Sequence, residues 1–220
     1  MSDGAAAEGA AAGERARWTR SAWRLLAVAV VVLIVSGIAP RDRATWWLEV
    51  APVLINNTLC AATTRRFPFT PLVQWLLLIH AAILCVGGHW TYAEVPLGNW
   101  VRDALALSRN PYDRLGHFAQ GFVPALVARE VFLRRAVVRR GAWLFTLVTA
   151  FALAISAAYE LCEWLAAETM GQAADSFLGT QGDPWDTQWD MLCALIGAIT
   201  AQVLLGRIQE RMVARIAEEK

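Results

Sequence analysis

Six apolar runs alternate with polar segments along the chain, and each is close to the length of a transmembrane helix. A helix needs about 20 predominantly apolar residues to cross the hydrocarbon core of a bilayer. The runs lie near residues 22–39, 46–63, 70–88, 114–133, 142–166 and 188–207. Since backbone polar groups in lipid must be satisfied within each segment, the pattern predicts an all-α, polytopic membrane helix bundle of about six transmembrane helices.

The two ends of the chain are more polar than the runs between them. We expect residues 1–20, which begin with a low-complexity stretch of Ala, Gly and charged residues, to form a disordered cytoplasmic tail. The membrane domain then spans 21–210, and 211–220 forms a second cytoplasmic tail. A basic segment before an apolar run can also mark a secretory signal, but no small-residue cleavage motif follows Ile38 and Pro40. We therefore expect the first helix to be retained.

The basic residues predict an orientation in the membrane. Segments on the cytoplasmic side of membrane proteins carry an excess of Lys and Arg. With the N-terminus inside, 15 of the 20 basic residues lie in cytoplasmic segments: Arg15, Arg17, Arg20, Arg24, Arg65, Arg66, Arg129, Arg134, Arg135, Arg139, Arg140, Arg207, Arg211, Arg215 and Lys220. The bias alternates correctly across every run, so we predict a bacterial inner-membrane protein with both termini in the cytoplasm.

The overall composition agrees with a membrane protein and excludes some partners. The chain is 57% hydrophobic and 18% charged, whereas a soluble domain carries about a quarter charged residues. A net charge of +1 gives no reason to expect a nucleic-acid partner. The predicted partner is the lipid bilayer, and the sequence identifies no protein partner. All four cysteines fall inside apolar runs, which favours packing over disulfide or zinc roles.

Ionisable side chains gather near the membrane face opposite the basic segments. They form three spaced sets, one in each of the last three runs: Asp113 and His117, Glu160 and Glu163, and Asp183, Asp186 and Asp190. Spacings of three or four residues place side chains on one face of a helix. Because all three sets lie near the same membrane face, we expect them to meet at one depth.

These residues predict a polar site within the membrane domain. Ionisable groups in the hydrocarbon region cost several kcal/mol, roughly 2.5–3.5 on insertion scales, and they normally face the bundle interior. Carboxylates and imidazole suit a divalent metal ion, with candidate ligands Asp113, His117, Glu160, Glu163, Asp186 and Asp190. The same groups suit acid–base catalysis, with His117, Glu160 and Glu163 as candidate catalytic residues. The metal's identity and its presence stay open.

Structural roles compete with this interpretation. Asp183 can belong to a turn and Asp186 can cap a helix. The acidic residues can also form a structural ion-pair network with Arg114, Arg109 or Arg102.

Three further polar residues lie at mid-span in the second and third runs. They are His80, Asn56 and Asn57, and interhelical hydrogen bonding is the role that we expect for them.

Three blocks of sequence carry a resemblance to a known family. PYDRLGHFAQGF, YELCEWLA and QGDPWDTQWDM resemble the YjdF family of bacterial inner-membrane proteins. The resemblance covers nearly the whole chain beyond residue 20, implies six helices and supplies no reaction. The order of Asp113, His117, Glu160 or Glu163, and Asp186 or Asp190 is also distantly similar to VanZ-like membrane proteins.

Three functions fit these observations. The first is a site that binds a metal or performs acid–base chemistry on a lipid-linked or envelope substrate. The second is a transporter or permease, which needs a polar track through the bilayer. The third is a non-catalytic envelope stress or assembly protein, in which the polar cluster only holds the helices together. Whether the protein is an enzyme stays open.

Overall fold

The computed structural model describes the backbone of residues 2–171 and 175–217. Within these ranges the regular structure is entirely helical and consists of α1 (Ser2–Ser36), α2 (Arg43–Thr63), α3 (Pro71–Trp90), α4 (Pro96–Ala104), α5 (Tyr112–Arg134), α6 (Ala142–Met170), α7 (Asp175–Leu178) and α8 (Asp186–Ala217). Each of the six long helices overlaps one of the six apolar runs, and α1 and α8 extend well beyond theirs into the polar ends of the chain. The predicted all-α membrane fold is therefore confirmed.

The long helices differ in how clearly their composition marks them as membrane spans. Segments of α1, α3, α6 and α8 are long and apolar enough to cross a membrane. Helices α2 and α5 have 21 and 23 residues, so they are also long enough, but they are more polar. The polar residues of α5 are largely buried inside the bundle, which explains how a polar helix persists in this fold.

The chain ends differ from the predicted disordered tails. Helix α1 begins at Ser2, so residues 2–20 are helical, and α8 continues through 211–217. Residues 1 and 218–220 lie outside the described residues. Alanine has the highest intrinsic helix propensity, and the Ala-rich start of the chain continues directly into an apolar helix. The low hydrophobicity of the Ala-rich start of the chain argues against a hydrophobic core formed by this segment, but it is compatible with a helix.

Both polar connections contain a short helix that the apolar pattern did not predict. Helix α4 lies within the predicted loop 89–112, and α7 lies within the predicted loop 168–187. Helix α4 starts with Pro96 in its first turn, where a missing N–H costs nothing. We call the end of the bundle that carries these two helices the site end, and the opposite end the terminal end.

Side-chain caps fix the starts of α2 and α3. An Asp42 carboxylate oxygen accepts a 2.6 Å hydrogen bond from the backbone N–H of Thr45. This bond lowers the pKa of Asp42, because it favours the ionised carboxylate. Thr70 caps α3, and Pro71 follows it at the first helical position. These caps set where the chain re-enters the bundle at either end.

Helix α5 is the central helix of the bundle. It packs most extensively against α8 and also packs against α6 and α3. Two glycines allow α5 and α8 to approach backbone to backbone. A Cβ atom on Gly121 would lie 1.8 Å from the carbonyl oxygen of Ala194, and one on Gly197 would lie 2.1 Å from that of Phe118. This close approach brings the starts of α5 and α8 together at the site end.

The terminal end contains a second set of buried charges, which the sequence pattern did not single out. The Glu130 side chain is fully buried and accepts hydrogen bonds from the Thr70 backbone N–H (2.8 Å) and hydroxyl (2.7 Å) and from Arg134 (2.9 Å). Arg129 pairs with Glu210. Arg129 and Arg134, assigned above to a cytoplasmic segment, therefore lie inside α5 and are ion-paired.

The glycines between α5 and α8 yield a stability prediction. Gly121→Ala and Gly197→Ala should each lower the free energy of unfolding by about 1–3 kcal/mol or more, because a methyl group would meet backbone that cannot move aside. Gly206→Ala is the matched control, since its new Cβ would lie 3.4 Å from the flexible side chain of Arg129. Thermal unfolding of the detergent-solubilised variants measures the effect. Equal melting temperatures for all three variants would contradict this packing.

Candidate functional site

The site lies where three helices begin at the site end. Glu49 is six residues into α2, His117 is five residues into α5 and Asp190 is four residues into α8. At 1.5 Å per residue, all three side chains originate roughly 6–9 Å from their helix ends. Glu160 reaches the same place from the second half of α6, which runs in the opposite direction. The predicted convergence of these helices is therefore present in the structure.

Asp113, His117 and Asp190 form the centre of the site. One potential ligand atom from each lies within 4.8 Å of the others, and all three side chains are buried. His117 Nε2 is 3.5 Å from an Asp113 carboxylate oxygen and 4.0 Å from an Asp190 carboxylate oxygen. Asp113 and His117 share one face of α5, as their spacing predicted. Two carboxylates and one imidazole are ligands that a divalent metal ion accepts.

The second ring nitrogen of His117 faces two other polar groups. His117 Nδ1 is 3.1 Å from the Gln120 side-chain oxygen and 3.7 Å from Glu160 Oε1. That Glu160 oxygen is buried and has no hydrogen-bond partner among the described residues. Asp190 Oδ1 is likewise without a hydrogen bond in the described part of the chain, and its side chain is only 3% exposed. Two buried acceptors beside the centre of the site therefore lack a hydrogen bond from the described residues.

Two arginines border the site and hold its outer carboxylates. Arg109 pairs with Asp186 and donates a 3.2 Å hydrogen bond to Asp113. Arg114 donates a 2.9 Å hydrogen bond to Asp183 and approaches Asp190 at 3.4 Å. Asp186, a predicted metal ligand, is thus placed in an ion pair. The predicted alternative of an ion-pair network holds for Arg109 and Arg114.

Arg102, the third arginine of that alternative, lies elsewhere. It pairs with its neighbour Asp103 at 2.9 Å, and the Asp103 side chain is 69% exposed. It takes no part in the buried network.

Asp183 has the turn role that the sequence left open. Its carboxylate accepts a 2.9 Å hydrogen bond from the backbone N–H of Trp185, two residues on. This bond, together with the nearby Arg114 guanidinium, lowers the pKa of Asp183. Asp183 therefore stays ionised and helps to fix the segment that leads into α8.

Negative charge exceeds positive charge at this site. Five carboxylates, those of Asp113, Asp183, Asp186, Asp190 and Glu160, lie at the site with two guanidinium groups and the His117 imidazole. An uncompensated charge in a buried environment is costly and is normally relieved by pairing or by protonation. The arrangement is therefore suited to a cation or to transferable protons.

A cavity of about 370 Å³ opens beside the site between α2, α3, α5 and α6. Its polar end includes Asp113 and His117 and also the more exposed Glu163. Further from the site end it is lined by apolar side chains such as Val123 and Ile155. Glu163, predicted as a ligand and catalytic residue, therefore lines the cavity and is not part of the central cluster.

Glu49 and Tyr159 close the polar end of the cavity. The Tyr159 hydroxyl donates a 3.0 Å hydrogen bond to a Glu49 carboxylate oxygen, which links α6 to α2. Glu49 is 4% exposed. The apolar pattern predicted that Glu49 lies at the same membrane face as the acidic residues of the site. It gave no indication of the hydrogen bond to Tyr159, which is 110 residues away in the chain.

Within the described residues, the mid-span polar side chains form none of the interhelical hydrogen bonds that we expected. His80 Nε2 and Asn57 Nδ2 are buried without a partner in the described residues, and Asn56 accepts only from Cys60 within α2. His80 and Asn56 instead line the large cavity. Asn56 and Asn57 line a second cavity of about 40 Å³ between α1, α2 and α3. These residues therefore border internal space rather than connect helices.

Comparison with known proteins assigns the chain to a family. Residues 21–211 match the family described as "Predicted membrane protein (DUF2238)". The chain belongs to this family. It is also 56% identical over 185 residues to the inner membrane protein YjdF of Escherichia coli (strain K12), covering 84% of this chain and 88% of that relative. The predicted YjdF resemblance is confirmed, and with it a multi-pass inner-membrane protein. No solved structure matches significantly.

Neither description names a reaction, a substrate or a ligand. The distant VanZ-like similarity stays a prediction.

The arginine pairs yield a prediction that separates buried from surface ion pairs. Arg109→Ala should reduce the free energy of unfolding by about 3–5 kcal/mol, because it removes the nearest counterion of buried Asp186 and a hydrogen-bond donor to Asp113, leaving Arg114 at 3.5 Å from Asp186. Arg102→Ala is the control and should cost at most about 1 kcal/mol, since its pair with Asp103 is exposed. Thermal unfolding in one detergent compares the two. A similar small loss in both variants would contradict the buried network.

Proposed function

We propose that this membrane protein binds a divalent cation at Asp113, His117 and Asp190 and uses the site for acid–base chemistry on a lipid-linked or envelope substrate. One observation supports the proposal above all others. Three buried ligand atoms lie within 4.8 Å of one another beside a cavity that is polar at one end and apolar along the rest. Pockets with convergent polar groups are the usual place for ligands and catalysis.

The residues of the site have separate roles under this proposal. Asp113, His117 and Asp190 provide two carboxylates and an imidazole, a set that suits Zn²⁺ or Mn²⁺. A bound cation of this kind would make a water molecule a better nucleophile at neutral pH. Glu160 lies 3.7 Å from the His117 ring. It would exchange a proton with His117 during the acid–base step. Arg109 and Arg114 would hold the surrounding carboxylates in position.

The unsatisfied oxygens support a ligand more strongly than a purely structural cluster. In a structural network, buried acceptors are expected to have partners. Asp190 Oδ1 and Glu160 Oε1 accept no hydrogen bond in the described residues, although Arg114 Nε lies 3.4 Å from the first and His117 Nδ1 lies 3.7 Å from the second. A bound cation would be held by Asp190 Oδ2, the oxygen that faces His117, and a proton or water would satisfy Glu160 Oε1.

A transporter is the second candidate, and the position of His80 and Asn56 favours it. Both residues line the large cavity at mid-span, and Asn56 also borders the second cavity. Polar residues at such depth can mark a substrate path. Substrate-dependent flux in proteoliposomes, with no turnover of substrate, would favour this candidate over the enzyme.

We also propose that both termini lie in the cytoplasm, which puts the site end at the outer face of the inner membrane. The proposal rests on the excess of Arg at the terminal end. A reporter that is active only in the cytoplasm should function when fused after Lys220, and one that requires export should not. Activity of only the exported reporter would reverse the assignment.

Metal-dependent stabilisation tests the central proposal. Zn²⁺ or Mn²⁺ added to chelator-treated, detergent-solubilised protein should raise the melting temperature. A ligand at 100 times its Kd stabilises a protein by about 2.7 kcal/mol. His117→Gln and Asp190→Asn should remain folded and lose this shift, because each removes a ligand atom.

His89→Gln is the matched control. His89 lies at the same end of the bundle, but its Nδ1 faces the backbone oxygen of Ser36 at 2.9 Å, outside the cluster. This variant should keep the metal-dependent shift. The proposal is wrong if no divalent ion raises the melting temperature, or if the His117 and Asp190 variants respond as the wild type does.

A further inference from the structure

The large cavity is open at its side, between α2 and α6. Its lining includes Ile55 and Leu59 of α2 and Phe151 of α6, which are 61%, 59% and 44% exposed. Helices α2 and α6 are not among the closely packed helix pairs. In a bilayer these exposed side chains face lipid, so the cavity communicates with the hydrocarbon core of the membrane.

Two prolines lie where the cavity separates the helices. Pro52 of α2 and Pro124 of α5 both line it. Proline lacks an N–H group, so each interrupts the backbone hydrogen bonding of its helix. Such interruptions are tolerated at membrane depth where the backbone lines a cavity. The cavity is thus a feature that the helix sequences support and not a chance gap in packing.

The cavity lining changes from polar near the membrane face to apolar toward the centre of the bilayer. Glu49 and Tyr159 lie near the site end, whereas Leu59 lies ten residues further along α2, roughly 15 Å deeper. A lipid in the adjacent leaflet has the same arrangement, with its headgroup at the membrane face and its chain toward the centre. A lipid could therefore enter sideways without turning over.

Charge at the polar end selects the type of headgroup. Glu49, Asp113 and Glu163 line this end, and the described lining residues include neither Arg nor Lys. Among the described residues neither Glu163 nor Glu49 forms a salt bridge, and Glu49 accepts a hydrogen bond from the neutral Tyr159 hydroxyl. Asp113 is paired with Arg109, whereas the carboxylates of Glu49 and Glu163, without a salt bridge in the described part of the chain, attract a cation and repel a purely anionic headgroup.

We propose that the cavity binds a membrane lipid whose headgroup carries an ammonium group, entering from the bilayer between α2 and α6. The ammonium group contacts Glu163 and Glu49, and one chain occupies the apolar part of the cavity. The inference deepens the proposed function, on which it rests, by naming the substrate class of that site. The headgroup then lies beside Asp113 and His117, where the chemistry is proposed to occur.

Lipid retention by the purified protein tests this proposal. The protein is reconstituted in vesicles of equal phosphatidylethanolamine and phosphatidylglycerol, extracted in mild detergent, and its bound lipid is measured by native mass spectrometry. Phosphatidylethanolamine should be retained over phosphatidylglycerol by about tenfold, which corresponds to about 1.4 kcal/mol. Glu163→Gln should remove most of this preference, because it neutralises a carboxylate and preserves the side chain's shape.

A steric variant tests the location of the lipid. Ile155→Trp fills the apolar part of the cavity and should lower retention several-fold, whereas Leu147→Trp should not. Leu147 lies on the same helix, is 41% exposed and does not line the cavity. If Ile155→Trp does not fold, Glu163→Gln still tests the headgroup contact without added bulk.

Measurement of the metal-dependent melting shift in the same preparations separates the two proposals. Equal retention of both lipids, or a preference unchanged by Glu163→Gln, overturns the lipid proposal even where the metal shift persists. If the wild-type protein shows no metal-dependent rise in melting temperature but keeps its lipid preference, only the metal site is overturned. Retention of phosphatidylethanolamine that Glu163→Gln abolishes and Leu147→Trp preserves supports the lipid site.

Discussion

The fold depends on the cost of placing charged side chains inside a bilayer-spanning helix. Helix α5 carries buried ionisable groups near both ends: Asp113, His117, Arg129 and Glu130. Facing lipid, each would cost several kcal/mol, roughly 2.5–3.5 on insertion scales. The helix is instead central and surrounded by α3, α6 and α8. The more apolar helices α1, α3, α6 and α8 provide much of the surface toward lipid, and the glycines of α5 and α8 allow the tightest contact in the bundle.

The buried charges at the two ends of α5 are compensated differently. The contrast separates a polar cluster with a structural role from one that is suited to binding a ligand. At the terminal end, Glu130 has three hydrogen-bond donors, two from Thr70 and one from Arg134. At the site end, Asp190 and Glu160 each keep a buried oxygen without a hydrogen bond in the described residues. A cavity adjoins the site end. The same helix therefore contains a closed polar network at one end and an incomplete one at the other.

Apolar run length was sufficient to predict the six long helices, because each run must cross the same thickness of hydrocarbon. Helical spacing was sufficient to place Asp113 with His117, and their shared position near one membrane face indicated that Asp190 lies at the same depth. Other features depended on tertiary packing and left no linear signal. The Tyr159–Glu49 bond joins residues 110 apart, and Glu130 was hidden within an Arg-rich segment. Asp186 and Asp190 are four residues apart, yet Arg109 holds the first while the second faces His117.

The central claim is that Asp113, His117 and Asp190 form one cation site inside the membrane domain. The most direct measurement is the metal content of protein purified in detergent after exposure to Zn²⁺ or Mn²⁺ and removal of free ions. The wild type should retain about one ion per chain, consistent with a single cluster of three ligands, and Asp113→Asn/Asp190→Asn should retain almost none. Retention of the same amount by both proteins, or of none by the wild type, would contradict the cation site.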